Sequence, residues 1–307
     1  MPDKSKIACI GECMMELTQP LPGHHTLGYG GDTLNTAIYC ARLGLAVDYV
    51  SALGDDPWSD QMIAGWQAEG IGTHRVVRVP GKLPGLYIIE TGTNGERRFY
   101  YWRENSAARL LLSLPETPAI LEGLLTYDLV YLSGITLSLY DEAGRKLLMQ
   151  SLDRLRKAGG RVAFDANFRP RGWPDRAAAQ RAYHDVFEVA DIILASVEDL
   201  DMLFGESEAK DVVTRLRVPE LVLKLVEPSC RVRAPGIDQI IPATPIDRVV
   251  DTTAAGDSFS AAYLAARLGG AGPVEAAKAG HRLAGTVVRY PGAIIPRSAM
   301  PDGVARN

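Results

Sequence analysis

In the run DTTAAGDSF, residues 251–259, a carboxylate, Asp257, directly follows three small residues, Ala254, Ala255 and Gly256. Small side chains let the backbone turn tightly, and from about Ser258 the spacing of Phe259, Tyr263, Leu264 and Leu268 is helical. The first N–H groups of a helix have no partner within it. Together with the macrodipole they favour an anion by about 0.3–1 kcal/mol per charge. An aspartate in the first turn is also an ordinary capping choice. The chemical reading is that Asp257 takes a proton from a hydroxyl while the amides of Ala254, Ala255 and Gly256 neutralise a phosphoryl group in transit.

Three other stretches could serve such a reaction. In GYGGDTLNTA, residues 28–37, Gly30 and Gly31 allow close backbone approach, Asp32 or Thr33 can cap a helix, and Asn35 can face a polyhydroxy ligand. In RVAFDANFR, Asp165, Asn167 and Arg169 alternate with Ala166 and Phe168 at the end of a strand, where ligands bind in open parallel sheets. In LPGLYIIETGTNGERRFYYWR, residues 83–103, two extended runs meet at Asn94-Gly95, a hairpin signal. Tyr87 lies on the first run, and Tyr101 and Arg103, two apart, share a face of the second. The planar fork of an arginine matches a carboxylate, which a neutral sugar does not require. A sugar acid is therefore the expected acceptor.

The order D-T-x-x-A-G-D-S-F resembles the signature of the ribokinase-like (PfkB) carbohydrate kinases, and G-G-D-T-L-N-T-A resembles their N-terminal sugar-binding motif. The resemblance runs from the first strand to GAIIPRSAMP, residues 292–301. It implies transfer of the γ-phosphate of ATP, with Mg²⁺, and Asp257 as the base. It also implies substrate contacts from Gly30, Gly31, Asn35, Tyr87, Tyr101, Arg103 and Arg169. Asn167, Ser196, Lys224, Ser229, Ala254, Gly256 and Gly280 would stand near the nucleotide, and Asp199 would reach the metal through water. GECMMEL (11–17), the hairpin segment and Ala254 in place of the usual glycine resemble the sugar-acid branch.

The chain also departs from the pattern. Ser196 and Asp199 stand where many relatives have Asn and Glu, and Val226 stands where glycine usually follows the lysine. A β-branched residue resists positive φ and Pro228 removes a donor, so an altered loop is expected over 224–230. Two other readings follow: a kinase of fructose, ribose or nucleosides, and a non-catalytic ligand-binding homologue.

These residues need elements to hold them. The chain has 307 residues, 47% hydrophobic and 23% charged, which suits a large core. A net charge of −4 gives no footprint for nucleic acid or a membrane surface. No apolar run reaches membrane-spanning length and the start leads directly into a strand, so a cytoplasmic protein is expected. Cys9, Cys13, Cys40 and Cys230 lack zinc spacing and read as reduced core thiols. Strand and helix patterns alternate, which predicts a three-layer α/β/α domain with a mostly parallel sheet. The expectation is one domain over 1–307 with a small β-sheet lid from about 12–30 and 85–103. A first strand is predicted over 7–17, and Val249-Val250 as the end of another. A helix carrying Gly280 and His281 would wall the adenine pocket, and exposed lid edges predict a homodimer.

Overall fold

The computed structural model describes residues 5–21, 24–91 and 97–301. In chain order the strands are β1 (Lys6–Ile10), β2 (Met14–Leu21), β3 (His24–Gly30), β4 (Ala46–Gly54), β5 (Ile71–Gly72), β6 (Val76–Val79), β7 (Leu86–Thr91), β8 (Arg97–Trp102), β9 (Leu129–Ser133), β10 (Arg161–Asp165), β11 (Ile192–Ser196), β12 (Glu220–Lys224), β13 (Ser229–Ala234) and β14 (Ile237–Pro242). The helices are α1 (Asp32–Arg42), α2 (Pro57–Ala68), α3 (Thr117–Gly123), α4 (Gly134–Ser138), α5 (Glu142–Lys157), α6 (Arg176–Val189), α7 (Val197–Phe204), α8 (Glu206–Arg215), α9 (Ala255–Leu268) and α10 (Pro273–Val287).

The main sheet runs β14-β13-β12-β11-β10-β9-β1-β4-β5, with β6 also on β4. It is parallel except where β13 and β14 turn back at one edge. Its inner strands β1, β9, β10, β11 and β12 are buried on both faces, whereas β14 at the edge is largely exposed. Ile7 and Cys9 enter the core shared with α1, α2, α9 and α10, while Ala8 and Ile10 enter the one shared with α5, α6 and α7. A fully buried large apolar side chain contributes about 1.5–3 kcal/mol. A strand such as β9, buried along its whole length, is therefore fixed more firmly than the loops it carries. Because β1 sits between β4 and β9, chain segments leave it in opposite directions, opening a crevice at the carboxyl ends of the strands.

A second sheet, β3-β2-β7-β8, stands apart from the first. Its central pair β2/β7 is parallel and its outer pairs are antiparallel. The single strand predicted over 7–17 is thus two strands in different sheets, broken at Gly11. A Cβ there would fall 2.0 Å from Thr33 Oγ1, so the chain crosses α1 too closely for any side chain. The Asn94-Gly95 turn lies outside the described residues, but β7 and β8 pair antiparallel from Leu86–Trp102 to Thr91–Arg97. Val249 and Val250 are in no strand and are exposed.

At the far end of α9, Arg267 forks onto both oxygens of Glu220 at 2.8–3.0 Å, and the Tyr263 hydroxyl donates to the same carboxylate at 2.7 Å. Glu220 opens β12, so helix and strand are joined there by a nearly enclosed ion pair. All four cysteines are free and buried. Among the described residues no helix is long and apolar enough to cross a membrane.

Candidate active site

Asp257 lies in the first turn of α9, which begins at Ala255, earlier than the spacing predicted. The residue before it, Ala254, is left-handed at φ 58°, alone among the described non-glycine residues. The turn makes Ala255 N–H donate back to Thr252 O at 3.1 Å. That amide, read from the sequence as an anion donor, is therefore already engaged, and the free first-turn donors are those of Gly256 and Asp257. Left-handed backbone costs a residue with a Cβ about 1–2 kcal/mol, against an entropic penalty of about 0.5–1 kcal/mol for glycine. Ala254→Gly is expected to raise stability by up to about 1 kcal/mol and leave turnover within about twofold, because the amide positions are kept. Urea denaturation and initial rates check this, and a loss of stability would show that the alanine methyl packs more usefully than its backbone strains.

Asn35 of α1 donates to Asp257 Oδ2 at 2.8 Å, and Thr36 Oγ1 reaches Asp257 O at 3.3 Å. One turn earlier, Asp32 accepts from Asn167 Nδ2 at 2.7 Å. At the end of β10, Asp165 accepts from Ser260 Oγ at 2.9 Å and faces Lys224 Nζ at 3.5 Å. The lysine lies against the start of α9, since a Cβ on Gly256 would fall 3.3 Å from its Nζ. Asp32, Asp165 and Asp257 thus lie close together, with the ammonium group of Lys224 beside Asp165 and Asp257. Burial and then the charge of Asp32 push the Asp257 carboxyl up to about 8, opposed by the Asn35 bond and by Lys224. Burial also raises Asp32, against its bonds to Ser133, Thr33 and Asn167. A carboxyl raised in this way can hold a proton near neutral pH, as a general base must.

The chain enters this group through Gly30 and Gly31. A Cβ on Gly31 would fall 2.2 Å from Glu12 O, and one on Gly30 would fall 2.6 Å from the Tyr87 hydroxyl. Tyr87 donates to Glu16. Register places Glu16, Tyr87 and Tyr101 in one row across the second sheet. Tyr101 stacks with Phe99 and stays partly exposed. Arg103, just past β8, does not stand open beside Tyr101 as its spacing implied. It turns onto Glu12, which is almost wholly buried.

Other predicted residues fall elsewhere. Because β10 ends at Asp165, the alternation expected through Arg169 is lost. Arg169 is more than half exposed and pairs with Asp199 at 2.9 Å, and Asp199 also accepts from Ser196 at 2.8 Å. These three are joined by hydrogen bonds to Asp199. Ser229 donates to Glu227 O. Gly280 is buried where α10 crosses α9, and a Cβ there would fall 2.7 Å from the Phe259 ring, so its smallness serves packing. His281 packs on Phe259 and bonds to Ile241 O. The loop after Lys224 needs no left-handed residue: Val226 projects into solvent and Pro228 O accepts from Ala243 N at 2.8 Å. Among the described residues no three His, Cys, Asp or Glu side chains converge as a metal cage. From the sequence, Asp165 was singled out at its strand end but given no role, Asp32 was read only as a helix cap, and Glu12 was not selected. A carboxylate beside the glycine pair, another at a strand end and a third directly after Gly11 were the available signals.

A carboxylate of raised pKa at a helix N-terminus beside a lysine, in the switch-point crevice of a parallel sheet, is an arrangement suited to phosphoryl transfer. Residues 4–300 match the model for pfkB family carbohydrate kinases, and the chain belongs to that family of ATP-dependent kinases. It is 47% identical over 305 residues to the 2-dehydro-3-deoxygluconokinase of Dickeya dadantii, covering 96% of this chain and 98% of that one. It is 45% identical over 306 residues to the enzyme of the same name from Escherichia coli K12, covering 96% and 99%. Its fold is similar to that of a fructokinase with bound ATP from Xylella fastidiosa, at TM-score 0.83 and 25% identity, covering 97% and 96%.

Proposed function

We propose that the chain transfers the γ-phosphoryl group of ATP to O6 of 2-dehydro-3-deoxy-D-gluconate, giving the 6-phosphate and ADP. The observation that carries the chemistry is Asp257, raised in pKa, bonded by Asn35 and set beside the free amides of a helix start. Asp257 takes the proton of the attacking hydroxyl. The amides of Gly256 and Asp257, with Lys224, receive the charge that spreads over the transferring group. Asn167 holds Asp32, and Asp32 in turn keeps Asp257 protonatable. The likeness to full-length relatives of that name supports the keto acid as acceptor.

Arg103 is the residue we assign to the acceptor's carboxylate, with Tyr87 and Tyr101 walling the sugar beneath the second sheet, which serves as the lid. Closing it excludes water, the competing acceptor. Magnesium takes few protein ligands and keeps its waters, so an ion carried by the nucleotide needs no cage of protein carboxylates. Asp199 would reach it through water, and the ion would neutralise phosphate charge. The expected homodimer and cytoplasmic location belong to the same proposal, the free edges β3 and β8 offering the pairing surface. The non-catalytic reading loses its motive, because Val226 and Pro228 are accommodated without strain.

The test is ADP release with the keto acid beside gluconate, fructose and ribose. Turnover is expected with the keto acid, and equal turnover with fructose would assign the protein to the neutral-sugar branch. Arg103→Ala is expected to raise KM for the acid on the order of ten- to a hundredfold and leave fructose within about twofold, the range for a lost charged hydrogen bond. It also strands Glu12, and breaking a buried pair can cost about 3–5 kcal/mol, so thermal melting accompanies the kinetics.

A further inference from the structure

Glu12 sits in the short crossing between β1 and β2, and only 1% of its side chain is exposed. A buried carboxylate is costly unless paired. Its charged contact is Arg103 Nη2, which touches Oε2. The contact is not a well-directed hydrogen bond: both Glu12 oxygens and Arg103 Nε and Nη2 are enclosed without a hydrogen-bond partner. Ser106 Oγ and Tyr140 hydroxyl, also enclosed and unpartnered, belong to the same neighbourhood. Ser106 N donates to Arg103 O at 3.2 Å, and the charge of Glu12, after burial, helps to raise the Tyr140 hydroxyl.

Two glycines make room for the pair. A Cβ on Gly85 would fall 3.1 Å from both Glu12 Oε1 and Arg103 Cβ, and one on Gly31 would press on Glu12 O. Arg103 is carried by the second sheet and Glu12 by the first sheet's loop, so the pair bridges the two. With Glu12 absent, the guanidinium loses the ion pair that fixes it and would swing to water, where its fork is no longer formed in advance.

We propose that Glu12 is a positioning residue: it holds the enclosed Nη2 side of Arg103 between the two sheets, sets the Nη1 side for an incoming anion, and thereby makes the enzyme prefer an acidic acceptor. A carboxylate can take two of the five donors of an arginine fork, so a carboxylate on one side leaves donors on the other for a second. Glu12 alone would repel that anion. Held against Arg103, its charge is cancelled and its effect is geometric.

The inference rests on the reading of Arg103 as the carboxylate holder, and the experiment separates the two. KM and kcat are measured for the keto acid and for its neutral analogue with a hydroxymethyl group in place of the carboxylate. The proteins are the wild type, Glu12→Gln, Arg103→Ala and the double variant, each checked by thermal melting. Glu12→Gln is expected to raise KM for the acid on the order of ten- to a hundredfold, with kcat and the neutral analogue within about twofold. On the Arg103→Ala background the same change is expected to add nothing, since Glu12 acts through Arg103. An unchanged acid KM in Glu12→Gln, with a raised one in Arg103→Ala, overturns this proposal and leaves the reading of Arg103 intact. Unchanged selectivity in Arg103→Ala takes down both. Should Glu12→Gln not fold, Glu12→Asp keeps the charge and shortens its reach by one methylene. A selective rise in acid KM then supports the proposal, and an equal change for both acceptors overturns it.

Discussion

Asp257→Asn is expected to lower kcat by about 10²–10⁴, the usual cost of losing a general base, while making the folded protein more stable in alkaline solution. Both effects come from the same desolvated carboxyl, pushed up to about 8. Only the unprotonated form can take a proton, so kcat/KM of the wild type should climb with pH until about 8 and then level. The variant's residual rate should lack that limb. Stability runs the other way. An aspartate in the unfolded chain titrates near about 3.9, so between there and about 8 the folded state holds a proton that the unfolded state has released. The favourable contribution is complete at low pH and is lost as pH rises through the folded value. Asparagine has no such loss. Rates over a pH series, with urea denaturation at about pH 6 and 9, test both arms. A variant with near-full turnover would remove Asp257 from the chemistry, and one as alkali-sensitive as the wild type would mean that another group carries the linkage.

Lys224→Met should cost about 10²–10³ in kcat, because one fixed positive donor beside the transferring group is lost. Methionine keeps most of the stem, so the comparison isolates the charge. Lys224 at present draws the Asp257 pKa down. Its removal should therefore move the acid limb of kcat/KM to higher pH. The ion pair with Asp165 is nearly enclosed, and its loss leaves that buried carboxylate with the neutral donors Ser260 Oγ and Asn167 N, so a lower Tm is expected too. A displaced limb with unaltered kcat would make Lys224 a tuner of Asp257 alone. If neither moves, the lysine does not serve the site.

What could be read from the sequence was whatever a few neighbouring residues decide between themselves. Small residues before Asp257, a glycine pair before a helix and an alternating α/β pattern each have a local physical cause. Partners brought together by the sheet have none. Nothing near Arg103 announces that a carboxylate from the loop after β1 will take hold of it, and nothing near Asp165 announces Lys224. The shared face expected for Asp165, Asn167 and Arg169 fails because alternation holds only while a strand lasts, and β10 stops at Asp165. The apolar run over 7–17 looked like one strand because both halves suit a sheet, and the break falls at a glycine whose tight contact with Thr33 is invisible in the local sequence. The smallness of Gly280 answers to an aromatic ring on another helix.

The fork of Arg267 on Glu220 has a dimensional consequence. From Asp257 to Arg267 the helix advances about 15 Å, at 1.5 Å per residue. From Glu220 to Lys224 the strand advances about 13 Å, at roughly 3.3 Å per residue. The two arms start from one riveted corner and run nearly equal lengths, so the base and the ammonium group arrive level with each other. The molecule thus carries its own gauge: a residue inserted in either arm would misalign proton acceptor and positive charge by a step of that arm, with every side chain of the site still present.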